Sequence, residues 1–291
     1  MQVEKNPLSA DLTRIIEKAT KQIVLSAATL AGGRANAKLV VLSGGRQVVV
    51  KQPKGKDGTL AVEGAVIDYL KKKTKLPMPT VYYAGNDALI HDYIVADGVL
   101  TPEAEPEAAT LLAELHAITA DSFGFDFDTL FKERLQNNTK ADRWVPFFIE
   151  NRLLAAARAA IDAGKIDSVV FGKLEKLAQN LDRYLDEPEK PSLIHGDIWS
   201  SSVLCLNGHV QAFVDPAIYF ADSEMEFAYS SEQSGLSGAF FRAYNEIRPF
   251  RAGYFEYRQS IYSLYPVLTA LAAGDMSVLP RLEGILKRFG E

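Results

Sequence analysis

Apolar residues recur along the first hundred positions at two different periods. Leu12, Ile15, Ile16 and Ala19 share one face of a 3.6-residue repeat, and Ser9 or Asp11 stands where a capping oxygen belongs. That spacing predicts a short helix over residues 9–21. Residues 22–31 read as a strand, which Gly32-Gly33 ends. Two β-branched runs, 38–43 and 47–52, flank Gly44-Gly45 in the pattern of a β-hairpin. A helical repeat returns over 59–73, with Leu60, Val66, Ile67 and Leu70 on its apolar stripe. Lys71, Lys72 and Lys73 fall in its last turn, where cations suit the helix dipole. Pro77 and Pro79 stop it, and strands follow near 80–84 and 88–94.

After Ala96-Asp97-Gly98 the repeat is mostly helical. Leu111, Leu112, Leu115 and Ile118 stripe a helix over 105–119, and Trp144, Phe147, Phe148 and Leu154 stripe another over 142–163. Gly164 sits where a helix C-cap belongs. Leu174, Leu177, Leu181 and Leu185 predict a third helix over 170–185. A second hairpin, 203–206 with 210–214, turns at Asn207-Gly208, and further helices follow from 223. The expected architecture is α+β: a small β-rich lobe (residues 1–96), a connector near 95–100, and a larger, mainly helical lobe (residues 97–291).

Composition narrows the partners. Of 291 residues, 47% are hydrophobic and 24% charged, which excludes a disordered or collagen-like chain. A net charge of −5 makes nucleic acid a poor partner for the overall field. Cys205 is the single cysteine, so no intramolecular disulfide forms, and with four histidines there is no structural zinc pattern. A lone thiol suits a reducing cytoplasm. The N-terminus carries charges of both signs without the apolar core of a signal peptide, and no run approaches the ~18 apolar residues of a spanning helix. The expectation is a cytoplasmic protein with no membrane partner.

The chemistry concentrates in residues 193–220, LIHGDIWSSSVLCLNGHVQAFVDPAIYF. Asp197 follows His195-Gly196 in a loop, and Asp215 ends an apolar strand after a hairpin. A hairpin between two acidic residues can bring them together. A phosphotransferase needs such a pair, one carboxylate to orient or deprotonate a hydroxyl and one to hold Mg²⁺. Glu63 lies between apolar Val62 and Ala65 on a helical stripe and therefore needs a partner. Lys51, at the end of the strand VVVK, is within reach of that role, although a strand-end lysine is ordinarily solvated.

This segment resembles the kinase-like phosphotransferases, and within them the fructosamine kinase family, whose loop reads HGDLWSGN. Here it reads HGDIWSSS (195–202), followed by FVDPAIYFADSEMEFA (213–228). LAELHAIT (112–119), FGFD (123–126) and RWVPFFIENRL (143–153) also match, so the resemblance runs over nearly the whole chain. A bare His-Gly-Asp is weak; Trp199 combined with Asp215-Pro216-Ala217 is much more specific.

The resemblance implies a bilobal protein-kinase-like fold, ATP and Mg²⁺ as cofactors, and a small-molecule acceptor, a sugar attached to an amine. It implies Asp197 as catalytic base and Asp215 as the principal Mg²⁺ ligand. Ser202 stands where the family has a second metal ligand, Asn, and offers a shorter, weaker oxygen. Lys51 is expected to meet the α/β-phosphates and to pair with Glu63. Gly32-Gly33 would turn the loop over the phosphates, with Arg34 near them, and the backbone of Asp92-Tyr93-Ile94 would meet adenine. His195 is expected to brace the loop by hydrogen bonds. Trp199 would stack on the sugar, with Trp144, Asp126 and Glu224 lining the same cleft. The leading expectation is a fructosamine or ribulosamine kinase. An aminoglycoside- or choline-type phosphotransferase keeps the fold and changes the acceptor. A non-catalytic pseudokinase is the reading that Ser202 favours.

Overall fold

Ser9 caps the first helix. Its hydroxyl accepts the Leu12 N–H at 3.2 Å, and α1 (Ala10–Thr20) buries Leu12 and Ile16 before Lys21 closes it in the left-handed region. The computed structural model describes residues 8–30, 36–53, 59–132, 134–228 and 234–289. Strands β1 (Val24–Thr29), β2 (Asn36–Leu42) and β3 (Gln47–Gln52) come next, then α2 (Thr59–Lys73), β4 (Val81–Ala84) and β5 (Leu89–Asp92). The five strands form one antiparallel sheet in the order β1-β2-β3-β5-β4. The first hairpin turns where Gly44-Gly45 predicts it, with Gly45 at φ 78. Helix α2 packs close on β4: a Cβ on Gly64 would come within 2.3 Å of the Ala84 methyl. A mid-helix glycine costs about 1 kcal/mol in propensity, and here it allows that approach.

The apolar core does not divide at the connector. Leu12 and Ile16 of α1 join Val40, Leu42, Val48, Val50 and Ile90 in a small cluster of their own. Leu60, Val66, Ile67 and Leu70 of α2 belong instead to the large cluster that runs through the helical lobe.

That lobe begins with β6 (Gly98–Val99), α3 (Glu105–His116) and the short hairpin β7 (Thr129–Phe131) and β8 (Arg134–Gln136). The helix expected over 142–163 is one continuous rod: α4 (Trp144–Phe148), a π-helical stretch (Ile149–Leu154) and α5 (Ala155–Asp162), with Gly164 following at φ 66. Helix α6 (Ser168–Ala178) is capped by Asp167 and ends earlier than the leucine stripe suggests. The Asn180 side chain turns back onto the Lys176 carbonyl at 2.9 Å, and Leu181 and Leu185 are buried beyond it, from a 3₁₀ turn and the chain that follows.

Four short strands then frame the loops that matter. They are β9 (Ser192–Ile194), β10 (Val203–Leu206), β11 (His209–Phe213) and β12 (Tyr219–Ala221). Asn207 (φ 52) and Gly208 (φ 74) turn the β10–β11 hairpin, and β6 joins its far edge. β9 pairs with β12. The loop 195–202 therefore leaves β9 and enters β10, while Asp215 lies between β11 and β12. Helices α7 (Gly238–Ile247), α8 (Gln259–Ala272) and α9 (Leu279–Phe289) complete the lobe. No described helix is long and apolar enough to cross a membrane.

Candidate active site

The two loops are laced together through main-chain atoms. The Ala217 N–H donates to the His195 carbonyl at 2.7 Å, and the Val214 N–H donates to the Ser202 carbonyl at 2.9 Å. Gly196 adopts φ 83, and a Cβ there would stand 2.3 Å from the Ala217 carbonyl oxygen. Only glycine fits both the left-handed backbone and that close approach.

A carboxylate that the motif does not announce holds the loop from below. Glu226 accepts the main-chain N–H groups of His195 at 2.5 Å and Gly196 at 2.9 Å. Its side chain is buried, and His116 of α3 lies 3.2 Å away through Nε2. The other ring nitrogen of His116 meets the Tyr244 hydroxyl at 2.6 Å. The sequence signal for Glu226 is the one that singled out Glu63, a Glu between apolar neighbours, here Met225 and Phe227. His195 braces the loop differently from the expectation. Its ring nitrogens are buried without a hydrogen-bond partner among the described residues, and the brace runs through its main-chain N–H.

Asp197 is 7% exposed, and its Oδ1 accepts the Trp199 indole N–H at 2.7 Å. The Ser202 hydroxyl donates to the Asp197 carbonyl at 3.0 Å, so its proton is committed to bracing the loop. Asp215 takes φ 55, a region where non-glycine residues are uncommon and Asp is among the tolerated ones. From across the cleft, Lys51 Nζ reaches Glu63 Oε1 at 2.6 Å and Asp215 Oδ1 at 3.3 Å. Burial works against the ammonium, but the two carboxylates outweigh it and hold Lys51 above the ordinary lysine range.

Among the described residues no cluster of three or more His, Cys, Asp or Glu forms a metal cage. Mg²⁺ does not need one, because it binds through one or two carboxylates plus waters and substrate phosphates. Asp215, with half its side chain exposed beside a cation that suits phosphate, supplies a hard oxygen of that kind.

In the segment expected to meet adenine, the Asp92 carboxylate accepts the Thr80 N–H at 3.0 Å and the Tyr82 hydroxyl at 2.5 Å. The Tyr93 N–H donates to the Gln47 carbonyl at 3.1 Å. Ile94 follows as the first residue outside these bonds. Gly32, Gly33 and Arg34 lie outside the described residues.

The acceptor-side expectations need correction. Trp144 is fully buried, stacked on Phe147 and packed against Phe148 and Tyr262, and its indole N–H donates to the Tyr262 hydroxyl at 2.9 Å. Glu224 is 5% exposed; Arg258 Nε meets it at 2.6 Å and Arg251 at 3.1 Å. Its charge is answered by two arginines rather than turned to a cleft. Asp126 pairs with Lys140 at 2.6 Å and borders a pocket shared with Asp121, Phe125 and Phe220, which no residue of the 195–202 loop lines. Trp199 alone of the four stands in the 195–202 loop, half-buried, with the Lys132 ammonium 5.7 Å from its ring centre.

The fructosamine kinase family profile matches residues 8–288. The chloroplastic protein-ribulosamine 3-kinase of Arabidopsis thaliana is 32% identical over 187 residues, covering 63% of this chain and 56% of that protein. The chain thus spans a little over half the length of that relative. A crystal structure of a fructosamine-3-kinase candidate from Thermobifida fusca superposes with a TM-score of 0.86 at 25% identity, over 97% of this chain and 98% of the other. The ADP-bound aminoglycoside phosphotransferase APH(2'')-Ib shares the fold at a TM-score of 0.67 and 18% identity, over 98% of this chain and 99% of its own. With the family profile matched from residue 8 to residue 288 and a kinase-like fold, the chain belongs to the fructosamine kinase family of small-molecule phosphotransferases.

Proposed function

We propose that the protein transfers the terminal phosphoryl group of Mg-ATP to a hydroxyl of a fructosamine or ribulosamine. The observation that carries this reading is the reach of Lys51 to Glu63 at 2.6 Å and to Asp215 at 3.3 Å, residues from both lobes. Glu63 aims the ammonium, which would meet phosphate oxygens. Asp215 is the residue to hold the metal, which when bound neutralises charge on the phosphates. Asp197, its carboxylate oriented by the Trp199 N–H, takes the proton from the acceptor hydroxyl. Gly196, Ala217 and Glu226 keep that carboxylate in register with Asp215.

Turnover of Mg-ATP with ribulosyl-lysine, fructosyl-lysine and kanamycin tests the reading. Phosphorylation of either amine-linked ketose is expected. Turnover of kanamycin alone would move the chain to the aminoglycoside class. A second reading, a non-catalytic nucleotide-binding protein, draws on Ser202, whose short hydroxyl stands where the family has an Asn and donates its proton to the Asp197 carbonyl. No turnover on any acceptor, unrescued by Ser202→Asn, would favour it.

A further inference from the structure

The hairpin of β7 and β8 turns at Lys132, which adopts φ 50, in the left-handed region where a residue with a Cβ is uncommon. Strain of this kind persists where something else requires the residue. The Lys132 ammonium lies 5.7 Å from the Trp199 ring centre and 5.5 Å from the Phe131 ring centre, inside cation–π range of both. The N–H of the same indole donates to Asp197. A cation and the carboxylate of the catalytic loop thus both meet one indole. Asp275 lies near enough to feel the charge of that ammonium. Its exposed carboxyl is held below the usual range chiefly by the Ser277 hydroxyl and N–H, with the Lys132 charge adding to them. The hairpin is itself fixed: the Thr129 hydroxyl donates to the Ile218 carbonyl at 2.9 Å, and the Gln136 amide to the Ala217 carbonyl at 2.8 Å. The metal-side loop is therefore tied to both strands of the Lys132 hairpin.

We infer that Lys132 is a specificity residue for the acceptor and that it reads a carboxylate, so that the preferred acceptor is a sugar joined to the α-amino group of a free amino acid. The inference rests on the functional reading above and deepens it. An acceptor whose hydroxyl meets Asp197 and whose body lies along Trp199 brings its far end to Lys132. In a ketose linked through its first carbon to an α-amino group, the carboxylate lies only a few bonds beyond the nitrogen, about one indole away from the reacting hydroxyl. In an adduct on the ε-amino group of a protein lysine, no carboxylate lies at that distance. A cation beside an aromatic plate suits an amino-acid adduct better than a neutral or polycationic acceptor.

The experiment compares fructosyl-glycine with its decarboxylated counterpart, fructosyl-methylamine, by calorimetric binding and by ADP release. Wild type should bind the carboxylate compound about tenfold more tightly, the scale of one charge-assisted contact. Lys132→Met should erase that ratio while leaving the neutral compound unchanged, and Lys132→Arg should retain much of it. Lys132→Gly, which suits the left-handed backbone, should raise the melting temperature and still lose the preference. Equal wild-type affinities for the two compounds overturn the assignment. So does a Lys132→Met loss of the same size on both, which would make Lys132 only a support for Trp199. Failure of the functional reading shows separately, as an absence of ADP release with both compounds whatever their affinities.

Discussion

Asp197 and Glu226 are both buried carboxylates of one loop assembly, and their surroundings set different tasks for them. Asp197 accepts an indole N–H, whereas Glu226 spends its oxygens on two main-chain N–H groups and a histidine. Asp197→Asn should lower kcat by ~10²–10⁴-fold, the usual contribution of a general base, with nucleotide affinity retained. Steady-state turnover beside a nucleotide titration checks it, and full activity would remove the assigned role. Glu226→Gln keeps the shape and discards the charge that strengthens its N–H contacts. It should cost kcat about tenfold or more, with KM for ATP little changed. Glu224 lies two residues earlier and makes the contrast. Removing its carboxylate in Glu224→Ala leaves Arg258, which is 0% exposed, without its closest counter-charge. Loss of one partner of a buried pair typically costs 3–5 kcal/mol, so a clear drop in melting temperature is expected, with turnover per folded molecule maintained. A drop in kcat without a drop in stability would return Glu224 to the acceptor cleft. The sequence made the Lys51–Glu63 pair legible, because a Glu on an apolar stripe needs a partner, and it marked Asp197 and Asp215 as the carboxylates to test. Glu224 and Trp144 were misread because a buried ionic or aromatic network and a cleft lining use the same residue types. Only packing separates them.

At the scale of elements, strong periodicity translated directly. Helix α2 occupies Thr59–Lys73 as its stripe predicts, and both hairpins turn at their glycines. The short strands β6 to β9 and β12 had no readable period, since two or three residues cannot show an alternation, and they form because neighbouring segments supply the partners. One of the legible strands carries a pH liability. His91 of β5 is 8% exposed; burial first and the Lys51 charge second push it down to about 4, against the pull of Asp215 and Asp92 and a contact to the Asp92 carbonyl. Burial also lowers His116 and His195. In each case the unfolded chain binds the proton more readily than the native one, so stability falls as pH drops below the ordinary histidine value of 6.5. For His91 the loss ends near pH 4, where the native imidazole itself takes the proton. One such site contributes a slope of about 1.4 kcal/mol per pH unit within its window. Urea midpoints between neutral and mildly acid pH should therefore fall, and His91→Asn should flatten the limb. A midpoint that holds steady down to pH 5 would mean that these histidines take up protons as readily in the native protein as in the unfolded chain.

Over the whole molecule, the boundary expected near residue 96 separates two lobes by topology but not by packing. Leu60, Val66, Ile67 and Leu70 of α2 are all buried in the cluster that the helical lobe completes. Lys71 Nζ also reaches the Met78 carbonyl at 2.8 Å, tying the end of α2 to the chain that leads into β4. Cutting at 96 would leave the sheet and α1 with their small cluster and expose the apolar face of α2. Each of those four side chains is worth about 2 kcal/mol of burial, and their sum rivals the whole stability of a small domain. A fragment of residues 1–96 is therefore expected to lack stable tertiary structure, and the full chain to unfold in one cooperative transition. Dispersed amide resonances from the fragment, or two resolved calorimetric transitions in the full chain, would mean that the lobes are independent folding units. The same shared core has a functional consequence. Glu63 rides on α2, so the helix anchored in the large lobe also carries the carboxylate that aims Lys51. An apolar-to-small change on that buried face, such as Ile67→Ala, should cost 2–5 kcal/mol and, unlike a comparable cavity in α8, should also weaken nucleotide binding through the displaced Lys51–Glu63 pair.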